Sequence, residues 1–210
     1  MNKKNDLSIQ LINVKDIASR RIPMEYESFT NELILFNNWV ANFLSKPHLN
    51  LGRTGAVCPY VQYAAEKEYF KVGVYEQENP DQAVIIMLIR NLRSVFLEMT
   101  SANRKDEKFK AVSILFPKLK EGQISKIIDE VQHILKPEFV SMGLMIGQFY
   151  ENCQEGGLRN THFKPLQSPI PLLAIRYMVE TDWPFLEGDK LLEKAYLENF
   201  GRINFGKKTD

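Results

Sequence analysis

Residues 70–116, FKVGVYEQENPDQAVIIMLIRNLRSVFLEMTSANRKDEKFKAVSILF, decide the fold. Phe70, Val72 and Val74 alternate with Lys71 and Gly73, the two-residue period of a strand. Asn79-Pro80-Asp81 then starts a helix, with a capping residue, proline at the first helical position and an acid in the first turn. Val84, Met87, Leu88, Asn91, Leu92, Val95 and Phe96 follow at spacings of three and four, about five turns at 3.6 residues each. The charged run 101–110 is a solvated connection, and AVSILF reads as a buried strand stopped by Pro117. A strand, a long helix and a second strand make a crossover unit, the building block of a parallel or mixed sheet.

Working outward, the pattern continues on both sides. Residues 1–22 are polar and read as an arm with a short strand at 7–14. Pro23 opens a helix whose Phe29, Leu33, Phe36, Val40, Phe43 and Leu44 share one face, ending before Pro47. That stripe is core or dimer surface, and core is the preferred reading. A short helix is expected near 61–67. Downstream, Ile124, Ile127, Ile128, Val131, Ile134 and Leu135 give another amphipathic helix, followed beyond Lys136-Pro137 by a short helical turn. LMIGQFY (144–150) and PLLAIRYMV (171–179) read as strands, and the second can run antiparallel beside the first. A helix from Asp189 to Phe200, capped by Gly201, closes the chain. The expected fold is a single α/β domain, residues 23–203, with a mixed four- to five-stranded sheet and a tail at 204–210.

Composition bounds the function. The 210 residues are 44% apolar and 25% charged, close to an ordinary globular average, which excludes disorder as the main state. Lys and Arg number 27 against 26 Asp and Glu, a net charge of +1, so an extended nucleic-acid face is not expected. The longest apolar runs, 83–89 and 140–147, fall well short of the ~20 residues that cross a bilayer. The start of the chain has no apolar secretory core. Cys58 and Cys153 are too few for a metal finger or a disulfide scaffold. The expectation is a cytoplasmic protein with a small-molecule partner, no nucleic acid and no membrane, the homodimer question staying open.

The connection 151–169, ENCQEGGLRNTHFKPLQSP, is where chemistry is expected. Connections that long inside a domain are usually functional when ordered. Leu158, Phe163 and Leu166 supply apolar anchors, and three prolines from Pro165 to Pro171 stiffen the segment. Arg159, Lys164 and, from the next strand, Arg176 can hold a carboxylate or a phosphate-like anion, Arg176 being the best fixed. The competing reading is a surface loop with solvated cations. His162, beside Asn160, can ligate iron or zinc or act as a base; it can equally be an exposed loop histidine. His133 reads as part of a solvated face with Gln123, Lys126, Asp129 and Glu130, and His48 as a cation on the last carbonyls of a helix. Cys58, before Pro59 in GRTGAVCPY, can be a reactive or iron-ligating thiol or a small buried one. The Gly52–Gly55 turn around Arg53 can touch an anion as well. No CxxC, HExxH, GxSxG or GxxxxGK[ST] occurs, so zinc hydrolysis, the hydrolase elbow and the P-loop lack support.

Three blocks, GRTGAVCPYV (52–61), GLMIGQFY (143–150) and GLRNTHFKPLQSPIPLLAIRYMVETDWPFL (157–186), resemble those of an uncharacterised bacterial domain-of-unknown-function family over roughly 51–200. Lys164 and Gln167 stand where that family often carries arginine. More distantly, the layout is similar to YqcI/YcgG-type proteins, some of which are haem-dependent oxygenases of guanidine or amine nitrogens. That resemblance implies a haem-binding oxidoreductase, a monooxygenase acting on a small polar nitrogen-containing metabolite, in place of a non-enzymatic anion-binding or regulatory protein. It implies His162 as axial iron ligand, with Arg159 and Arg176 toward the propionates or a substrate carboxylate. Asn160 and Cys58 belong to the same expected cofactor set. No catalytic residue is implied.

Overall fold

The computed structural model describes residues 8–202. In chain order its strands are β1 (Ile12–Asn13), β2 (Phe70–Val74), β3 (Ala111–Leu115), β4 (Leu144–Phe149) and β5 (Leu172–Tyr177). They form one sheet in the order β1-β2-β3-β5-β4. β2 and β3 are parallel neighbours, Val72 opposite Ser113, as a crossover through the helix between them requires. β5 runs antiparallel to both β3 and β4, so the sheet is mixed, with β1 and β4 at its edges.

The helices are α1 (Val14–Ala18), α2 (Thr30–Trp39), α3 (Val61–Glu66), α4 (Gln82–Glu98), α5 (Glu130–Ser141) and α6 (Lys190–Phe200). Alternation along the strands gives the sheet two apolar faces. On one, Val112, Ile114, Leu144, Ile146, Leu173 and Ile175 pack against Ile85, Leu88, Ile89 and Leu92 of α4 and Val131, Leu135 and Phe139 of α5. On the other, Phe70, Val72, Val74, Leu115 and Leu172 meet Phe29, Leu33, Phe36 and Val40. A third cluster, with Met145, Met178, Trp183, Leu192 and Tyr196, seats α6. The fold is α/β with helices packed on a mixed sheet, as expected, and the helices cover both of its faces.

Several details differ from the expectation. The described part of the expected arm belongs to the core: Ile12 and Asn13 pair with Val72 and Lys71, and Val14 and Ile17 are buried. Gly73 permits this approach, because a Cβ there would overlap the Ile9 side chain and lie 3.1 Å from the Gln10 carbonyl. Residues 1–7, including the start of the expected strand at Leu7, and the tail 204–210 lie outside the described residues. The helical stretch after Pro23 has three geometries, a 3₁₀ turn (Met24–Phe29), α2, and a wide π turn (Val40–Leu44). Its Phe29, Leu33, Phe36, Val40 and Leu44 are buried, so the stripe is core. Asp81, not Asn79, caps α4, its Oδ1 accepting from the amides of Ala83 at 2.8 Å and Val84 at 3.3 Å. Pro80 therefore lies outside the helix. At the other boundary, α5 runs unbroken through Pro137, because burial of Phe139 and Val140 outweighs the lost backbone bond.

Candidate functional site

The connection 151–169 is ordered by contacts along its whole length. At its root, the Tyr150 amide donates to the Leu166 carbonyl and the Ser168 amide to the Tyr150 carbonyl, both at 3.3 Å. Lys164 Nζ donates to the Gln154 carbonyl at 2.6 Å, closing the loop on itself. Trp39 Nε1 holds the Gln167 carbonyl at 2.9 Å, and Asn160 Nδ2 holds the Asn50 carbonyl at 2.8 Å. Phe163 is the buried anchor, stacked on His48 with ring centroids 4.5 Å apart, whereas Leu158 is exposed. Gly52, at φ 75°, lets Arg159 lie directly on the turn: a Cβ there would stand 2.9 Å from the Arg159 Cβ. His48 does not act as a cation on helix carbonyls. Its Nδ1 accepts from the Asn50 amide at 3.2 Å, a bond made by an unprotonated ring nitrogen.

The expected site residues fall into two groups. Arg159, Asn160 and His162 share the loop. His162 is exposed, and its backbone amide donates to Asn160 Oδ1 at 3.0 Å. Arg176 instead lies toward the far end of β5, opposite Met145 at the start of β4, while the loop leaves from the end of β4. Cys58 and Tyr60 lie within electrostatic range of Arg176. The guanidinium expected to hold an anion holds Asp182 instead, through two bonds of 2.7 Å. Lys164 and Arg53 are likewise engaged with backbone carbonyls.

These residues do not fit a haem. A macrocycle needs apolar walls on both faces around its iron ligand. His162 stands at the surface, its neighbour Phe163 is packed inward against Phe43 and His48, and Arg176 is paired elsewhere.

A different set of side chains converges beside edge strand β4. There an open cleft of about 530 Å³ lies between α5 and the start of the loop. Asp129, Glu130, Gln132 and His133 line one wall; Gln148, Tyr150, Gln154 and Glu155 line the other. Asp129 ends a wide turn, Ser125–Asp129, that precedes α5. Such turns recur at functional sites because they re-aim side chains out of helical register. Tyr150 Oη donates to Asp129 Oδ2 at 3.1 Å, and the backbone amide of the wholly buried Cys153 donates to the Tyr150 carbonyl at 3.2 Å. Burial pushes the Asp129 carboxyl above the ordinary range, against the Tyr150 bond, and the charge of Glu155 adds to the rise. Burial likewise pushes Tyr150 and Cys153 up, so both keep their protons at neutral pH. Neither His162, Arg159, Asn160, Arg176 nor Cys58 lines this cleft.

A family model described as Domain of unknown function (DUF6875) matches residues 33–209. The chain belongs to the DUF6875 family. Membership of a domain-of-unknown-function family is what the sequence blocks implied, and the DUF6875 match takes in every element of the cleft. Comparison with curated proteins and with solved structures finds no match. No described helix is long and apolar enough to cross a membrane. Among the described residues no group of three or more His, Cys, Asp or Glu is arranged to hold a metal ion.

Proposed function

We propose that this protein binds a small polar nitrogen-containing metabolite in the cleft beside β4, through N–H groups presented to Asp129. The observation that carries the reading is the balance of donors and acceptors on the cleft walls. Gln132 Nε2 donates to the Ile146 carbonyl at 3.1 Å, and Gln154 Nε2 to the Asn152 carbonyl at 2.9 Å. The Tyr150 hydroxyl proton is committed to Asp129. The amide oxygens of both glutamines and the second oxygen of Asp129 are left as acceptors; the glutamine amides and His133 keep donors as well, but Asp129, Glu130 and Glu155 line the walls with no Lys or Arg, so the balance of charge favours a ligand that donates. A ligand completes such a site by donating hydrogen bonds.

Glu130 is a poorer anchor, because Gln82 of α4 already donates to its Oε2 at 2.8 Å. Asp129 is the group suited to exchange a proton with a bound amine, since its carboxyl titrates nearer neutrality than an exposed one. The anion-binding alternative loses support from the pairing of Arg176 with Asp182. Two free cysteines suit a reducing cytoplasm, where we place the protein.

Three probes of equal chain length test the reading: pentane-1,5-diamine, pentanediamide and pentanedioate, titrated into ¹⁵N-labelled protein. The diamine is expected to shift amide signals in 129–133 and 148–155, the diamide more weakly, and the dianion not at all. Shifts confined to 157–164 with the dianion, or none with either nitrogen compound, would overturn it.

A further inference from the structure

We infer that the tip built from residues 46–53 and 158–163 docks this protein peripherally on an anionic lipid surface, with Leu49 and Leu158 entering the interface and Lys46, Arg53 and Arg159 meeting lipid phosphates. The inference stands apart from the cleft and does not depend on the ligand read there.

The charge pattern begins in the sequence. No Asp or Glu stands between Glu32 and Glu66, or between Glu155 and Glu180. At the chain's overall frequency, 26 in 210, stretches of that combined length would hold about seven. The fold joins the two carboxylate-free stretches. Asn160 Nδ2 donates to the Asn50 carbonyl at 2.8 Å, His48 stacks on Phe163, and Gly52 lies against Arg159. Lys46, Arg53 and Arg159 are all exposed there. Among the described residues none of these three cations pairs with a carboxylate. Arg53 donates to the Thr54 and Val57 carbonyls, which orders its side chain without neutralising it. The net charge of +1 conceals the tip, because a sum over the chain carries no information about where the signs sit.

The same tip holds apolar side chains outward. Leu49 is fully exposed, at 101%, and Leu158 is 54% exposed. Single leucines scattered over a surface are ordinary. These two flank one contact: Leu49 adjoins Asn50, and Leu158 is two residues from Asn160. Leu49 is also kept from folding inward. It opens the 3₁₀ turn Leu49–Leu51, in which Leu51 takes the buried position and His48 Nδ1 accepts from the Asn50 amide. Ordered leucines among unpaired cations match a headgroup layer, where apolar groups reach the acyl boundary and cations stay with the phosphates. A single-stranded nucleic acid would use exposed aromatic platforms. The rings at this tip, Phe43, His48 and Phe163, are packed on one another instead. No described helix crosses a membrane, so the contact is peripheral.

The test is co-sedimentation of the full chain with vesicles of phosphatidylcholine alone and of equimolar phosphatidylcholine and phosphatidylglycerol. It is run at about 0.05 M and about 0.5 M salt, which moves the screening length from beyond to within the reach of the tip cations. Polyuridylate serves as a competing polyanion. The wild type is expected to bind the mixed vesicles reversibly, to ignore phosphatidylcholine alone, and to be released by the higher salt. R53Q/R159Q weakens binding by about fivefold for each cation, and L49S/L158S weakens it by about tenfold or more. K190Q/K194Q, which removes two exposed cations from α6, leaves binding unchanged. L49W, a single exposed replacement, shifts its emission to the blue on mixed vesicles only, and so reports insertion even if a double variant fails to fold. No binding of the wild type to mixed vesicles at the lower salt would overturn the inference. So would an L49W emission that stays put, or a K190Q/K194Q protein weakened as much as R53Q/R159Q. Polyuridylate held as tightly as the vesicles, with folded L49S/L158S unimpaired, would make the tip a general polyanion contact and overturn the lipid assignment.

Discussion

Arg176 and Asp182 meet through two parallel hydrogen bonds, Nη1 to Oδ2 and Nη2 to Oδ1, each 2.7 Å long. The same carboxylate takes the Val179 amide at 2.8 Å and is almost wholly buried, while the Arg176 side chain as a whole is one-third exposed. The pair pins the 3₁₀ turn Glu180–Phe185 to the end of β5. Removing one partner leaves the other charge half-desolvated. D182A is expected to cost roughly 2–4 kcal/mol, the partial exposure of Arg176 keeping it below a fully buried pair. D182N is expected to cost less, and R176K is not expected to substitute for the two-pronged contact. Urea unfolding reads these values, and a D182A protein as stable as wild type would contradict the assignment.

The packing of the N-terminal segment on β2 depends on Gly73. In G73A the new methyl group overlaps Ile9 and meets Ile114 Cδ1 at 3.2 Å, so the segment must shift or the core must strain. An overpacking cost of about 1–3 kcal/mol is expected, with faster amide exchange confined at first to residues 9–13. Unchanged exchange there would show that β1 does not rely on this contact.

Glu138 on α5 ties that helix to α4 through Arg90 at 2.9 Å and through Arg93. Burial pushes its carboxyl up, and the hydrogen bonds and charges of Arg93 and Arg90 more than reverse this, holding it below the usual range. A carboxyl lowered by folding binds fewer protons in the native state than in the unfolded one. Its contribution is therefore present above the unfolded pKa and lost as pH falls through the folded value. E138Q is expected to lower the melting temperature near neutrality and to flatten the acid limb, the two profiles converging as pH falls through the folded value. An acid limb identical to wild type would remove Glu138 from that account.

Haem binding is expected to be absent. Protein purified from haem-supplemented cells should show no stoichiometric Soret band, and haemin titration should give no saturable uptake. A stoichiometric band that disappears in H162A would reinstate His162 as an iron ligand and require the loop to open.

The elements that the sequence made legible are those that bury one stripe. Val72, Leu88, Leu92 and Phe96 repeat with the period of their element because each faces a core, so β2 and α4 could be placed from spacing, and β3 from its apolar run before Pro117. β1 falls within the short strand expected at 7–14, but its two residues carry no period, so nothing in the spacing told that it joins the sheet beside β2. Arg176 looked available for an anion because its partner, Asp182, follows after the strand has ended and the chain has turned. The cleft was hidden for a related reason. Asp129 stands among Lys126, Glu130 and His133, which spell a solvated helix face, and only the wide turn before α5 aims it at Tyr150. The nearest sequence signal was Tyr150 and Cys153 three residues apart at the head of an uncommonly long connection.

The central claim, that Asp129 anchors an N–H-bearing ligand in the cleft beside β4, is most directly tested by calorimetric titration of pentane-1,5-diamine into wild type and D129N at neutral pH. The account predicts saturable binding to the wild type and a loss of about tenfold or more in affinity for D129N, the size of one charged contact. Equal affinity for the two proteins, or binding that follows the loop cations instead, would contradict it.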